Sequence, residues 1–364
     1  MSQTFYRQHL CDCTGAMAQV GSSLRSRFRG CLLGALAGDC LGCPYESGTL
    51  LPKGVTLMEN VVEFFQSFDS KRGASKLTFT DDTAMARSVA ESLIHCKGKY
   101  NARDMARRFS EEYAREPGRG YGANVIDILP ALGDPNTEDI YAPAKTQFDG
   151  SGSYGNGGAM RIAPVGLCSS ENLERVIEIA RESSKLTHAN KLGYNGAVLQ
   201  ACAVHSALHS DPVTFDTTSF LDGLLRVMDR VEGTDDLYAG KLREMKKMLA
   251  SDPSTEDVAK KLGNEIAAHR SVPAAVYSVL RCLRPVQGIP TDNRLERTLI
   301  YAISLDGDTD TIASMAGAIA GALYGREEVP EAWLEALEAT ADALRQADQL
   351  FDIMQGEGGR GDQK

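Results

Sequence analysis

The sequence lacks an excess of positive charge, because its 39 lysine and arginine residues stand against 49 aspartate and glutamate residues, a formal net charge of −10. It also lacks any uninterrupted apolar run close to the roughly 20 residues that a membrane-spanning helix needs. The first absence argues against general nucleic-acid binding through a basic surface, and the second argues against a membrane protein. The composition, 43% hydrophobic and 24% charged, excludes a largely disordered chain and predicts an ordinary globular protein.

A paired disulfide framework is also missing. The nine cysteines are an odd number spread over a long chain, which favours reduced thiols in an intracellular protein. Cys40 and Cys43 form a C-x-x-C, but no second pair follows at zinc spacing, so both are predicted to be small core residues of a helix. Nucleus and cytoplasm are the expected location. The mitochondrial matrix is an alternative, because the first 30 residues are basic and acid-poor, as in a transit segment.

No strand pattern, low-complexity linker or fixed-period repeat interrupts the chain. We therefore expect one compact all-α domain of many helices over residues 25–352, with flexible tails at 1–24 and 353–364. Apolar and small residues recur at helical spacing and predict these helices: 27–42, 81–95, 176–186, 189–208, 220–231, 258–268, 274–283, 295–303, 312–324 and 332–351.

Glycine is abundant, with 35 residues. Gly34, Gly38 and Gly42 are four residues apart and share one face of the first predicted helix. Because glycine weakens a helix, three on one face indicate that another backbone packs closely there.

Carboxylates are concentrated in two short turns, each preceding a helical run of small residues. The first is residues 80–83 (TDDT) and the second is residues 306–311 (DGDTDT). A helix N-terminus stabilises a carboxylate by about 0.3–1 kcal/mol, so helix capping explains only part of each cluster. Adjacent carboxylates repel one another, and a divalent cation with hard oxygen ligands would relieve that repulsion. Acidic helix caps and a divalent metal site are the two interpretations of these turns.

Two familiar ligand-binding motifs are nearly matched. The aspartates of the second turn fit an EF-hand loop, but Thr311 and Gly317 stand where that loop requires glycine and glutamate, so an EF-hand is excluded. Residues 150–155 match G-x-G-x-x-G, but no apolar strand precedes them, as a dinucleotide-binding unit would require. This glycine-rich segment still fits a phosphate cradle, with a surface loop as the alternative.

Four motifs together resemble the ADP-ribosylglycohydrolase superfamily, the dinitrogenase-reductase-activating-glycohydrolase-like hydrolases. In chain order they are residues 38–46 (GDCLGCPYE), 80–83 (TDDT), 155–161 (GNGGAMR) and 307–311 (GDTDT). The resemblance spans about residues 25–350. Four further segments look like the ADP-ribosylserine hydrolase and poly(ADP-ribose) glycohydrolase branch rather than the arginine-specific branch: 119–122 (RGYG), 153–157 (SYGNG), 186–189 (LTHA) and 193–197 (GYNGA).

The resemblance implies an all-α domain with a cleft, formed by loops and helix N-termini, that holds two Mg²⁺ ions. The implied metal ligands are Glu46, Thr80, Asp81, Asp82, Asp308, Asp310 and Thr311. The implied catalytic residues are Glu46, Asp81 and Asp82, with Glu46 either an acid/base group or a mobile flap that gates the metals. The implied substrate-binding residues are Gly120, Tyr121, Gly122, Phe148, Gly152, Ser153, Tyr154, Gly155, Asn156, Gly157, Gly158, His188 and Ile266.

Parts of an ADP-ribosyl substrate are assigned to these residues by the same resemblance. The 152–158 loop would hold the pyrophosphate, and Phe148 and Tyr154 would stack on adenine beside Ile266. His188 would contact the substrate; without the resemblance, a capped core histidine is the better interpretation.

The implied activity is Mg²⁺-dependent hydrolysis of the O-glycosidic bond at ribose C1″. The expected substrates are ADP-ribosylserine on proteins, poly(ADP-ribose) and O-acetyl-ADP-ribose, and the expected partners are ADP-ribosylated proteins, poly(ADP-ribose) and ADP-ribose. A monomer is expected. The alternatives are an ADP-ribosylarginine hydrolase and a pseudoenzyme that binds ADP-ribose without hydrolysis. The second alternative rests on Asp306, which stands where the family usually has glycine next to the acidic turn.

Overall fold

The computed structural model describes residues 22–46, 53–67, 76–168 and 172–358. These residues form helices and isolated β-bridges but no β-strand, which confirms the all-α prediction. The α-helices are α1 Leu24–Glu46, α2 Leu57–Gln66, α3 Asp81–His95, α4 Ala102–Arg115, α5 Ala123–Ile126, α6 Ile128–Gly133, α7 Ala142–Thr146, α8 Gly157–Met160, α9 Ala163–Leu167, α10 Leu173–Lys185, α11 Lys191–Leu208, α12 Thr217–Glu232, α13 Leu237–Ser251, α14 Thr255–Leu262, α15 Ala268–Arg281, α16 Arg294–Ile303, α17 Thr309–Tyr324, α18 Glu331–Ala336 and α19 Thr340–Gly358.

Helix α17 is the central helix of the fold, since every one of its residues is buried. After its acidic first turn it consists almost entirely of alanine, glycine and other apolar residues, as expected for a helix surrounded by protein on all sides. Helices α1, α11, α15 and α16 all pack against it. The first turn of α17 is thereby fixed in the interior of the molecule.

Helices α1 and α17 lie backbone against backbone along a glycine face. A β-carbon built on Gly34 would lie 2.2 Å from the carbonyl oxygen of Gly317, and one built on Gly38 would lie 2.2 Å from the carbonyl carbon of Ala313. Real β-carbons do not approach other atoms so closely, so these positions accept only glycine without a shift of the helices. The close approach predicted from the spacing of the glycines is confirmed.

Two of the predicted helices differ in extent from the structure. The helix predicted at 258–268 ends at Leu262, because Gly263 adopts a left-handed φ of 102°. The helix predicted at 332–351 is divided into α18 and α19, because Leu337 leaves the helix to pair with Leu77. Eight helices were not predicted: α2, α4, α13 and the short helices α5 to α9.

Most of the two predicted tails lies outside the described residues. Residues 1–21 lie outside the described residues, and α1 begins at Leu24. At the other end α19 continues to Gly358 with Met354 buried, so the first residues of the tail predicted at 353–364 are helical. Cys40 is buried in α1 as predicted, whereas Cys43 is only partly buried. Within the described ranges, no helix combines the length and apolar character needed to cross a membrane.

Candidate functional site

The first turns of α3 and α17 meet at the end of α1. The absence of a side chain at Gly42 permits this, since a β-carbon there would lie 2.6 Å from the α-carbon of Asp310. The Thr309 hydroxyl also donates a 2.9 Å hydrogen bond to the carbonyl oxygen of Gly42. The glycine face of α1 therefore brings the second acidic turn beside Glu46, the last residue of α1.

The two acidic turns, far apart in sequence, are joined directly. The Thr311 hydroxyl donates to Asp82 Oδ1 over 3.2 Å. Within the first turn Thr80 caps α3, because its hydroxyl oxygen accepts a hydrogen bond from the Asp82 N–H at 3.3 Å. The helix-cap interpretation is therefore correct for Thr80, but it does not account for Asp82, whose Oδ2 is buried without a hydrogen-bond partner among the described residues.

Asp39 of α1 holds the first acidic turn in place through hydrogen bonds. It is completely buried in α1, and its carboxylate accepts hydrogen bonds from the Thr80 N–H at 3.0 Å and the Thr83 N–H at 3.0 Å. The Thr83 hydroxyl donates a third bond of 2.5 Å. Asp39 therefore fixes the start of α3 by accepting hydrogen bonds from backbone N–H groups that have no partner within the helix.

Three carboxylates converge closely enough to share one cation. Glu46, Asp308 and Asp310 each offer an oxygen, and these oxygens lie within 4.8 Å of one another. Within the described part of the chain, no lysine or arginine forms an ion pair with these carboxylates or with Asp81 and Asp82. Asp82, Asp308 and Asp310 are buried, whereas Glu46 is exposed. These negative charges without cationic side chains, together with the unpartnered Asp82 Oδ2, fit a site for hard divalent cations.

The pKa values of these carboxylates show the cost of leaving the site without positive charge. Burial, reinforced by Asp39, raises the pKa of Asp81 to about 7. Burial, reinforced by Asp308, raises the pKa of Asp310 to about 9. Burial also raises the pKa of Asp82, and that of Asp308 despite its hydrogen bonds. A bound cation would favour the charged forms and reverse these shifts.

The glycine-rich segment is fixed against the acidic turns by Asn156. The Asn156 side-chain amide donates to Asp308 Oδ2 over 2.5 Å and to the Ser271 hydroxyl over 3.1 Å. Its backbone N–H donates to the carbonyl oxygen of Ile266 over 2.9 Å, and the Ala268 N–H donates to the carbonyl oxygen of Tyr154 over 3.0 Å. The turn beside the carboxylates is therefore a fixed part of the site, not a free surface loop.

These elements enclose a cavity of about 410 Å³. All seven predicted metal ligands line it, namely Glu46, Thr80, Asp81, Asp82, Asp308, Asp310 and Thr311. Nine of the predicted substrate-binding residues line it as well, namely Gly120, Tyr121, Gly122, Ser153, Gly155, Asn156, Gly157, His188 and Ile266. A cleft of this size accepts a nucleotide-sized ligand, with carboxylates at one end and the exposed Ile266 at its rim.

Four predicted substrate-binding residues do not line this cavity. Phe148 and Tyr154 are exposed, and their rings lie 6.2 Å apart between centroids beside it. Gly152 and Gly158 serve packing instead: a β-carbon on Gly152 would lie 2.7 Å from the Asn190 nitrogen, and one on Gly158 would lie 1.9 Å from the Ser184 hydroxyl. Adenine stacking on the two rings therefore stays a prediction, and the two glycines shape the loop from behind.

Several lining residues were not predicted. Asn124, Val125 and Gln147 line the cavity. Arg161 and Thr187 lie behind His188. Arg161 belongs to the 155–161 motif, and Thr187 precedes His188 in the 186–189 motif, so proximity to a motif was the only sequence signal for either residue.

Asp306 lies outside this site. Its side chain is exposed and does not line the cavity, and its φ of 63° is in the left-handed region. The neighbouring Gly307 has a φ of 79°, and a β-carbon there would lie 2.1 Å from the carbonyl oxygen of Asn264. The observation that favoured a pseudoenzyme therefore concerns a surface position.

A helical domain whose two acidic turns and glycine-rich turn share one cleft has the architecture expected from the resemblance. The sequence profile described as ADP-ribosylglycohydrolase matches residues 21–360, and the chain belongs to this family of hydrolases. The prediction of the family and of a hydrolase is therefore confirmed.

Relatives with a stated activity match nearly the whole chain. A mouse protein named ADP-ribosylhydrolase ARH3 is 45% identical over 348 residues, 91% of this chain and 92% of its own. The human protein of the same name is 44% identical over 351 residues, 91% of this chain and 94% of its own. A solved structure titled "ADP-ribosylglycohydrolase-related protein complex" has the same fold, with a TM-score of 0.61 at 21% identity over 91% of this chain and 99% of its own.

Proposed function

We propose that the protein is a Mg²⁺-dependent ADP-ribosylhydrolase that cleaves the O-glycosidic bond at ribose C1″ of ADP-ribosylserine on proteins. The observation that carries the proposal is the junction of the two acidic turns within one cavity, through the hydrogen bond from Thr311 to Asp82. The same cavity contains the glycine-rich turn and His188, which supply donors for phosphate. The names of the ARH3 relatives support the reaction class.

The cleft residues fit two Mg²⁺ ions by the chemistry of their donors. Thr80, Asp81, Asp82, Asp308, Asp310, Thr311 and Glu46 would hold them through carboxylate and hydroxyl oxygens, the ligands that Mg²⁺ prefers. When bound, such ions would orient ribose hydroxyls and lower the pKa of a coordinated water. The unpartnered Asp82 Oδ2 is the direct structural sign that the residues alone leave the site unsatisfied.

The residues around the metal ligands would bind and orient the substrate. The glycine-rich turn lines the cavity at Gly155 and Gly157, where it would bind a phosphate, and Asn156 holds this turn against Asp308. The exposed Ile266 lines the cavity, and the exposed rings of Phe148 and Tyr154, which are outside its lining, would stack on the adenine ring. Together they would place the ribose C1″ bond at the carboxylate end.

Glu46 is the proposed acid/base residue. It ends α1 at the rim of the cavity, and burial together with Asp308 raises the pKa of its carboxyl above the usual range. A raised pKa allows a carboxyl group to hold a proton until a leaving oxygen takes it, as cleavage through an oxocarbenium-like transition state requires. Its alternative role, a flap that gates the metals, involves the same position at the end of α1.

The substrates follow from the same site. We propose poly(ADP-ribose) and O-acetyl-ADP-ribose as additional substrates, because both present the same ADP-ribosyl group with an oxygen leaving group. A surface with a net charge of −10 would not attract the polymer, so recognition would occur at its ADP-ribose end within the cleft. We also propose, from the sequence alone, a monomeric state and a nuclear and cytoplasmic location.

The rival reaction within the same family is hydrolysis of ADP-ribosylarginine. Incubation with serine-linked and arginine-linked ADP-ribosyl peptides, with and without Mg²⁺, separates the two. Mg²⁺-dependent release from the serine peptide alone supports the proposal, and release from the arginine peptide alone contradicts it.

The metal site is tested with the double variant Asp81→Asn/Asp82→Asn. Amide side chains keep the size of the carboxylates but remove two charged ligands, so we expect turnover to fall at least about a thousand-fold, the scale of lost transition-state stabilisation of roughly 4 kcal/mol. Release of ADP-ribose from the serine peptide measures it. The matched control is Asp306→Asn, which removes an acid next to the second turn outside the cavity and should leave turnover unchanged. Full activity in the double variant would contradict the proposed site.

A further inference from the structure

Arg161 is a buried cation that lacks a carboxylate partner among the described residues. The side chain is 1% exposed, its Nη2 donates to the Thr187 hydroxyl at 2.7 Å and to the carbonyl oxygen of Ser183 at 3.3 Å, and its guanidinium carbon lies 4.5 Å from the centre of the Phe109 ring. Buried charges in proteins are normally paired with an opposite charge. An arginine held by neutral groups at the wall of the cleft therefore requires another explanation.

Thr187 connects this cation to His188. Thr187 is completely buried, and its Oγ1 lies 2.8 Å from His188 Nδ1. Arginine can only donate, so Thr187 Oγ1 accepts from Arg161. The hydroxyl proton has one available acceptor among the described groups, His188 Nδ1, because no other hydrogen bond to this oxygen is present. The arrangement that satisfies every group has Thr187 donating to an unprotonated Nδ1.

The second ring nitrogen of His188 faces the glycine-rich turn. A β-carbon on Gly157 would lie 2.9 Å from His188 Nε2, and one on Gly155 would lie 3.4 Å from it. Nε2 makes no hydrogen bond to another described group, and the ring lines the cleft. An imidazole that accepts at Nδ1 carries its single proton at Nε2. The N–H of His188 is thus directed at the turn where phosphate oxygens would lie.

We propose that Arg161 and Thr187 are positioning residues that hold His188 as the neutral Nε2–H tautomer, with its one donor aimed at a phosphate bound at Gly155 and Gly157. The identity of this ligand as the pyrophosphate of ADP-ribose rests on the proposed function; the tautomer does not. Burial, together with the Arg161 cation, lowers the pKa of His188 to about 3, which is consistent with a ring that stays neutral. His188 is then a fixed donor rather than a proton carrier.

Nitrogen NMR on the full chain with ¹⁵N-labelled histidine tests the tautomer. The wild type is expected to show one histidine with an unprotonated Nδ1 and a protonated Nε2, assigned by its disappearance in His188→Gln. Thr187→Val keeps the shape of the side chain but removes the hydroxyl, so we expect a mixture of the two neutral tautomers. Thr187→Ser is expected to restore the single form, and Arg161→Met to shift it toward the mixture.

Calorimetry with ADP-ribose in Mg²⁺ gives the functional readout. We expect Thr187→Val to weaken binding about two- to ten-fold, the loss that corresponds to one hydrogen bond, and Thr187→Ser to bind like the wild type. The matched control is Thr298→Val, which removes another buried threonine hydroxyl in α16, a helix that contributes no residue to the lining of the cavity.

Several outcomes would overturn the inference. A wild-type spectrum with Nδ1 protonated does so by itself, even if Thr187→Val fails to fold by circular dichroism. A folded Thr187→Val protein with an unchanged tautomer and unchanged affinity does so as well. Absence of hydrolysis by the wild type would instead contradict the proposed function and leave the tautomer assignment standing.

Discussion

At the scale of single residues, Asp306 and Gly307, neighbours in the second acidic turn, differ in how tightly their surroundings restrict them. Asp306 and Gly307 both have left-handed φ values, 63° and 79°. Only Gly307 is also pressed against another backbone, the Asn264 carbonyl. Aspartate tolerates the left-handed region better than most residues, so the departure from the family's glycine at 306 is accommodated at the surface.

We therefore predict that Asp306→Gly leaves turnover unchanged and alters the free energy of unfolding by less than about 1 kcal/mol, because relief of the left-handed strain opposes the extra entropy of a glycine in the unfolded chain. Kinetics on the serine-linked peptide and urea unfolding check this. Gly307→Ala is the contrasting variant and should lose roughly 3 kcal/mol through its clash with Asn264. A large gain of activity in Asp306→Gly would show that Asp306 disturbs the metal site after all.

The two acidic turns and the glycine-rich segment could be recognised from the residues because their chemistry is local in sequence, whereas the assignment of individual ligands came from the resemblance to the family. Adjacent carboxylates such as Asp81 and Asp82 repel one another wherever they lie, so a divalent cation was one of the two interpretations that the sequence offered for them. Asp39 was not predicted to belong to the site, because a single acid in an apolar helix carries no such sign. Thr187 and Arg161 act only through contacts that the fold creates, and no spacing rule reveals them.

At the scale of elements, the position of the second acidic turn depends on the seam between α1 and α17, the glycine face along which the two helix backbones are in contact. It consists of backbone contacts, so it has no side chains that could adjust to an added atom. Close-packed interiors respond to one extra methyl group by shifting whole elements.

Gly38→Ala is predicted to destabilise the protein by about 3 kcal/mol, because its β-carbon would overlap the backbone at Ala313. The same change normally stabilises a helix by up to about 1 kcal/mol, so the sign reports the packing. Gly223→Ala in α12 is the matched control, since only the end of the flexible Arg226 side chain lies within 4 Å of the added atom, and it should be neutral or stabilising. Urea unfolding measures the free energy of unfolding of both variants, and equal effects would contradict the close packing of α1 against α17 at Gly38.

The helices that were not predicted show where the spacing of apolar residues fails to reveal a helix. Helix α4 has a strongly polar sequence in which only Met105, Ala106, Phe109 and Glu112 are buried, so its apolar stripe is narrow. The prediction at 258–268 followed apolar residues through Gly263, because a left-handed residue leaves no mark in an apolar pattern. The long, small-residue α17 was predicted well because burial on every side leaves a continuous signal.

At the scale of the whole molecule, the acidic cleft couples stability to pH and to cations. Burial raises the pKa of Asp81 to about 7, whereas an aspartate in the unfolded chain has a pKa near 4. The metal-free folded protein therefore keeps a proton that the unfolded chain has already released. The contribution of Asp81 to the free energy of unfolding therefore falls as the pH rises from about 4 to about 7, and the contribution of Asp310 falls as the pH rises toward 9.

We predict that Mg²⁺ raises the melting temperature more at pH 8 than at pH 5, because the cation binds the charged carboxylates and competes with protons. Thermal unfolding of the chelator-treated protein, with and without added Mg²⁺ across this range, measures the effect. In the double variant Asp81→Asn/Asp82→Asn, the melting temperature should depend less on Mg²⁺ and less on pH. A melting temperature of the wild type that ignores Mg²⁺ at pH 8 would contradict a cation site in the cleft.

The seam between α1 and α17 also sets the order in which the cleft can appear during synthesis. Glu46 and the first acidic turn leave the ribosome early, whereas Asp308 and Asp310 belong to the last sixth of the chain. A nascent chain that stops before Asp308 has three of the five carboxylates and lacks the central helix that buries the site, so it cannot bind the cations as the complete cleft would. Joining these parts closes a very long loop, which makes the site a late event of folding. A product of this chain truncated before Asp308 therefore lacks the second acidic turn and is expected to be inactive.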